Sequence, residues 1–187
     1  MTKNYKMTPW CQTYTGVLFY PLEPDAEDIC IEDIAHHLAI INRFGGASRV
    51  PISVADHSVL VAGEMPAHLA LWGLLHDASE AYLIDLPRPV KYSPELVGYR
   101  KVEAMLQAMI YAKFGLTGPE PAELKLVDDQ MLMTEQRDLM GPQTEPWACQ
   151  AQPYTSIVYP LSWQSAESVF LFWMRRLTNG SAHGHAR

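Results

Sequence analysis

Leu69-Ala70-Leu71-Trp72-Gly73-Leu74-Leu75-His76-Asp77-Ala78-Ser79-Glu80 is apolar nearly all round until it meets an imidazole and two carboxylates. A helix without a polar face has to be enclosed by others, so this stretch predicts the centre of an all-α bundle. The helix is expected to begin at Pro66 and to end shortly after Tyr82. Working outward, Ile31, Ile34, Leu38 and Ile41 share one helical face and predict a helix over 30–44 that stops at Gly45-Gly46. Pro51-Ile52-Ser53 opens a second helix to about Glu64, with Ser53 capping its first turn and Asp56 returning the bond.

Downstream, Asp85-Leu86-Pro87-Arg88-Pro89-Val90-Lys91 reads as a rigid, non-helical loop because of its two prolines. Ser93-Pro94-Glu95 starts a long helix to about Phe114, and Leu124, Val127, Met131 and Leu139 mark a fifth over 120–140. Val169, Phe170, Phe172, Trp173 and Leu177 give a last helix over 162–178. The expectation is one domain over 1–187, a bundle of about six helices whose core lies in 30–140. Residues 1–28 form an extended or turn-rich arm wrapping the surface, 141–160 an irregular connection and 179–187 a frayed tail.

Composition narrows the function classes. The chain has 187 residues, 48% hydrophobic and 19% charged, which is ordinary for a packed globular protein. Its formal net charge of -7 speaks against long nucleic acid as a partner, although a small anion can still be held in a locally positive pocket. The three cysteines, Cys11, Cys30 and Cys149, are odd in number and widely spaced, which fits a reducing compartment. No stretch has the apolar length of a signal peptide or of a bilayer span of roughly 20 residues, so a cytoplasmic protein without membrane contact is expected.

The chemistry concentrates where the apolar run ends. On a helix His76 and Glu80 share a face and Asp77 flanks it, so all three can address one small site. A buried Asp beside a buried His needs a partner or a metal to offset lost hydration. Further ligands belong on other inward faces, and two are present: His57 within Val54-Ala55-Asp56-His57-Ser58-Val59, and Asp128, four residues after Leu124 and three before Met131. Asp129 points about 100° away from that stripe. With no cysteine nearby, imidazole plus carboxylate suits a single divalent ion such as Mn, Fe, Co, Zn or Ni. His36 and His37, on the first helix without a carboxylate partner at ligand spacing, and His68, early in the third, are expected to be structural or solvated.

The order of Ala55-Asp56-His57-Ser58, then Leu75-His76-Asp77-Ala78-Ser79-Glu80, then Asp85-Leu86-Pro87-Arg88-Pro89-Val90-Lys91, then Asp128 ahead of Thr134-Glu135, resembles the HD superfamily of metal-dependent phosphohydrolases. Within it the chain looks like the bacterial and phage branch related to 5'-deoxynucleotidases. The resemblance implies an HD-domain helical fold, His57, His76, Asp77 and Asp128 as metal ligands, and Glu80 and Asp85 as catalytic carboxylates. It also implies Arg43 and Phe44 as substrate contacts, Lys91 on the phosphate, a small nucleotide substrate and a homodimer. That branch often has tryptophan where this chain has Phe44. Relatives also cleave deoxynucleoside triphosphates to triphosphate, and a nucleotide-sensing module is a third expectation.

Overall fold

The computed structural model describes residues 8–180. It is built almost entirely of helices, as the apolar periodicity dictates. Helix α1 (Ile31–Ile40) is shorter than expected. Ile41 and Asn42 turn extended, Asn42 bridges to Ser53, and the Arg43 amide donates to the Ile52 carbonyl at 2.9 Å. Leaving the helix early is what delivers Arg43 to the interior. The glycines do not cap α1 but lie in a short 3-10 turn, Arg43–Gly46, in which Phe44 and Gly45 adopt left-handed backbone angles.

Helix α2 (Val54–Glu64) begins at Ser53, whose hydroxyl accepts from the Asp56 amide at 3.1 Å as expected. Asp56 does not return the bond. Its carboxylate accepts from the Leu161 amide at 2.8 Å and so ties the distant connection to the start of α2.

The predicted central helix is broken into α3 (Ala70–Leu75) and α4 (Glu80–Leu83). Gln107 is the cause. In an unbroken helix the Ser79 amide would donate to the Leu75 carbonyl. Instead it donates to Gln107 Oε1 at 2.9 Å, while Gln107 Nε2 donates to the Leu75 carbonyl at 2.7 Å. A side-chain amide wedged into the ladder is a recognised origin of a helix break. Here it opens the chain at 76–79, where His76 and Asp77 sit.

The loop after α4 also departs from expectation, for Arg88–Lys91 forms a one-turn helix, α5. Pro89 is tolerated because its position falls among the first amides, which have no partner within the helix. Helices α6 (Val97–Lys113), α7 (Ala122–Leu139) and α8 (Trp163–Gly180) follow near their predicted places. Six helices of six residues or more and two single turns thus make up the all-α bundle among the described residues.

The arm contains a minimal antiparallel pair, β1 (Cys11–Gln12) and β2 (Leu18–Phe19). It does more than wrap the surface. Phe19 is fully buried and stacks on Tyr82 with ring centroids 4.2 Å apart. The Thr15 amide and hydroxyl both donate to the buried Asp33, at 2.7 and 3.0 Å. Asn179 and Gly180, expected in the frayed tail, instead close the last helix, and the rest of the tail and the first residues of the arm lie outside the described residues.

Leu38, Leu74, Leu75, Leu106, Ile110 and Phe170 form the closed centre of the core, and α8 packs across α1, α2 and α3. Helices α2 and α3 approach closely at Gly73, where a Cβ would lie 3.0 Å from the Ala62 Cα. Helix α7 packs on both α2 and α3, which completes the scaffold of the site. Among the described residues no helix is long and apolar enough to cross a membrane.

Candidate metal centre

Three elements meet at one point. His57 Nε2 on α2 lies 3.3 Å from His76 Nε2 at the end of α3, and 3.3 Å from Asp128 Oδ1 on α7. His76 Nε2 is 3.9 Å from the same Asp128 oxygen. His57, His76 and Asp128 therefore form a candidate metal-binding triad. Asp77 Oδ2 approaches from the broken turn, 3.2 Å from His76 Nε2 and 3.8 Å from His57 Nε2. Three of the four expected residues thus form the cluster, and Asp77 lies beside it. Asp129 points elsewhere, pairing with Arg88 and Lys125.

The hydrogen bonds decide what these atoms can hold. His57 Nδ1 faces Glu135 Oε1 at 2.7 Å and His76 Nδ1 faces the Gly73 carbonyl at 2.8 Å. Both partners only accept, so both Nδ1 atoms carry the proton and donate. Each neutral imidazole is then left with a bare Nε2 lone pair, and the two lone pairs converge with two carboxylate oxygens. Such a set is repulsive unless a cation sits among it, and a ring nitrogen held by a second partner is the usual mark of a metal-ligating histidine. Protons are the alternative cations. Burial and Arg43 oppose charging of His57, yet Glu135 and Asp128 push its imidazole up to about 9. Burial likewise opposes ionisation of Asp77 and Asp128, but the imidazoles hold both carboxyls well below the usual range.

A cavity of about 1120 Å³ opens beside this centre, lined by Arg43, His76, Asp77, Glu80, Asp85, Arg88, Lys91 and Asp128 and by the apolar side chains of Phe44, Leu132, Met140 and Trp147 among others. That size accommodates a drug-sized organic molecule. Glu80 is buried, and its Oε2 has no hydrogen-bond partner. Burial, then Asp77 and Asp85, raise its carboxyl well above the ordinary value. Asp85 is raised too, by burial first and then by Asp77.

The basic residues are placed less simply than expected. Arg43 is buried, donates through Nε to Glu135 at 3.0 Å and lies 3.6 Å from Asp77. Lys91 reaches Glu103 at 2.7 Å and Glu80 at 3.5 Å, so its charge is already engaged by carboxylates. Arg88 holds Asp128 Oδ2 at 2.9 Å. Among the other histidines, His36 does find a carboxylate, Glu167 at 3.2 Å, and His37 donates to the Ala81 carbonyl at 2.7 Å.

Sequence reasoning did not single out Glu135 as a site residue, although a signal exists. It follows Asp128 by seven residues, two helical turns, and so shares its inward face. Fully buried, it joins Arg43 to His57. Gln107 and Trp147 carry no local pattern that would have marked them.

No protein-family profile matches the chain. It is 40% identical over 128 residues to the uncharacterized protein YfdR of Escherichia coli, an alignment covering 68% of this chain and 71% of that one. It is 38% identical over 125 residues to an uncharacterized protein of Rhodobacter capsulatus, covering 62% and 63% of the two chains. Over a shorter stretch of 41 residues, 21% of each chain, it is 51% identical to a 5'-deoxynucleotidase of Vibrio atlanticus. At the identity and coverage of the first of these matches, the chain belongs to the same family as the Escherichia coli protein YfdR.

Proposed function

We propose that the protein is a metal-dependent phosphohydrolase of the HD type that releases phosphate from a small nucleotide, foremost a 5'-(deoxy)nucleoside monophosphate. The observation that carries this reading is the convergence of His57, His76 and Asp128, with Asp77 beside them, next to a large cavity that His76, Asp77 and Asp128 help to line. The local similarity to a 5'-deoxynucleotidase supports it. When bound, a divalent ion would supply Lewis acidity toward a phosphate oxygen and lower the pKa of a water held there.

The chain's own groups divide the remaining work. A carboxyl whose proton affinity is raised by burial is a better base once ionised, and the unpartnered Oε2 of Glu80 is free to take the proton of the attacking water. The new oxygen–phosphorus bond forms as the bond to the 5' oxygen breaks. Asp85, also raised, gives that leaving oxygen its proton. Arg43 and Arg88 neutralise phosphate charge, while Lys91 acts chiefly by holding Glu80 and Glu103 in place.

Glu80→Gln is expected to lower kcat by about a hundredfold or more, the ordinary worth of a general base, without changing metal content. Turnover within about threefold of wild type at equal metal content would show that Glu80 is not the base. For the reaction itself, a panel of deoxynucleoside mono- and triphosphates with Mn, Co, Zn or Ni is expected to yield inorganic phosphate from monophosphates. Release of intact triphosphate would instead make it a triphosphohydrolase, and nucleotide bound but uncleaved over hours would make it a sensor.

A further inference from the structure

We infer that Trp147, together with Phe44, forms an aromatic corner that stacks the nucleobase of the substrate; this rests on the nucleotide reading above. The corner is built from two segments far apart in sequence. The connection at 140–162 is laid along α7, where Cys149 Sγ contacts the Asp129 carbonyl at 3.8 Å and the Tyr154 amide donates to Thr134 Oγ1 at 2.9 Å. Almost every residue in 141–150 is exposed, but Trp147 is half-buried and lines the cavity. A large aromatic side chain turned inward from an otherwise solvated, polar segment needs a reason, and filling the core does not supply it: Trp147 joins neither buried apolar cluster, and the ring it meets is that of Phe44, at the margin of one of them.

Phe44 arrives from the other side. Its backbone is left-handed, φ 59 and ψ 21, a conformation a bulky side chain rarely adopts and one that concentrates at ligand-binding sites. The two rings stand 5.9 Å apart at 60°, so they present a corner and are not stacked on each other. The chemistry is adjacent: Arg43, the preceding residue, lies 3.6 Å from Asp77. A ligand with a phosphate at the metal centre and a planar ring in the corner therefore follows a path one residue of backbone defines.

The corner also says how the base is read. Leu132 and Met140 also line the cavity without a strong hydrogen-bonding group, and the Cys149 thiol is directed at a main-chain carbonyl. Every base has a π-face, whereas its identity is written on its edges, so stacking without edge contacts tolerates all of them and favours the larger purines. What the corner itself selects is the presence of a planar base.

The test compares deoxyadenosine monophosphate with 2-deoxyribose 5-phosphate, which keeps the phosphate and sugar but lacks the base. The ratio of their kcat/KM values is expected to fall about tenfold in Trp147→Ala, within the usual worth of one stacked base, and to stay within about threefold in Trp147→Phe. Calorimetric binding of deoxyadenosine, which has no phosphate to cleave, is expected to weaken in parallel. If Trp147→Ala lowers both substrates equally or neither, the corner does not hold the base. If deoxyadenosine binding depends on Trp147 while no monophosphate is hydrolysed, the corner stands and the hydrolase reading fails.

Discussion

On the metal-site reading proposed above, Asp128→Ala is expected to purify without a divalent ion and to lose hydrolysis to the background of the assay, while Asp129→Ala keeps both. The two neighbours differ only in direction. Asp128 Oδ1 lies 3.3 Å from His57 Nε2, whereas Asp129 pairs with Arg88 and Lys125 at the rim. Removing groups that merely orient metal ligands costs about 10- to 100-fold in affinity or activity, so removing a ligand outright should cost at least about a hundredfold. Metal analysis of the purified variants, with titration of Mn into chelator-treated protein, reads the effect directly. The Asp128 side chain is 15% exposed and part of no apolar cluster, so the variant should stay folded by circular dichroism. Asp128→Ala retaining a full equivalent of metal would place the ion elsewhere.

How much of this centre was legible follows from which contacts are local. Ser53 before Val54 announces the start of α2, and the Leu124, Asp128, Met131 stripe aims a carboxylate inward; both signals lie within one or two helical turns, where sequence spacing fixes direction. The break at 76–79 was not legible, because its cause is a glutamine some thirty residues away that replaces a main-chain bond. The apolar run from Leu69 to Leu75 is equally compatible with one continuous helix. Asp56 failed for the same kind of reason: the capping pattern was right for Ser53, but a long-range amide, Leu161, competes for the carboxylate. Arg43 was placed by resemblance, and what positions it is the early exit of α1, held by the Arg43 to Ile52 main-chain bond. The Pro-rich segment misled because two prolines forbid a long helix but not a single turn.

Glu135→Ala is the change expected to cost most stability in the metal-free protein. Its two oxygens are fully spoken for, one accepting from His57 Nδ1 at 2.7 Å and the other from Arg43 Nε at 3.0 Å, and Glu135 has no exposure to solvent. Although burial opposes ionisation, Arg43 and His57 hold this carboxyl below its ordinary value. Deleting it strands a buried guanidinium and an imidazole N–H, and breaking a buried ion pair on one side costs about 3–5 kcal/mol. Glu135→Gln would rescue it only in part. An amide that offers its oxygen to His57 turns its NH2 toward Arg43, donor against donor; turned the other way it serves Arg43 but meets His57 Nδ1 with its NH2, which forces the imidazole into the tautomer protonated on Nε2. Urea unfolding with chelator present should therefore rank wild type above Gln and Gln above Ala. The double variant Arg43→Met, Glu135→Leu separates stability from function, because it removes both charges and leaves no buried ion unpaired. Its unfolding midpoint is expected to recover most of the loss, since apolar replacements of buried ion pairs are often neutral. Its affinity for Mn is not expected to recover, because His57 would lack the carboxylate that fixes its tautomer. If the double variant regained stability and metal together, Glu135 would matter only as Arg43's counter-charge; if Glu135→Ala unfolded at the wild-type midpoint, the buried bridge would not stabilise the fold at all.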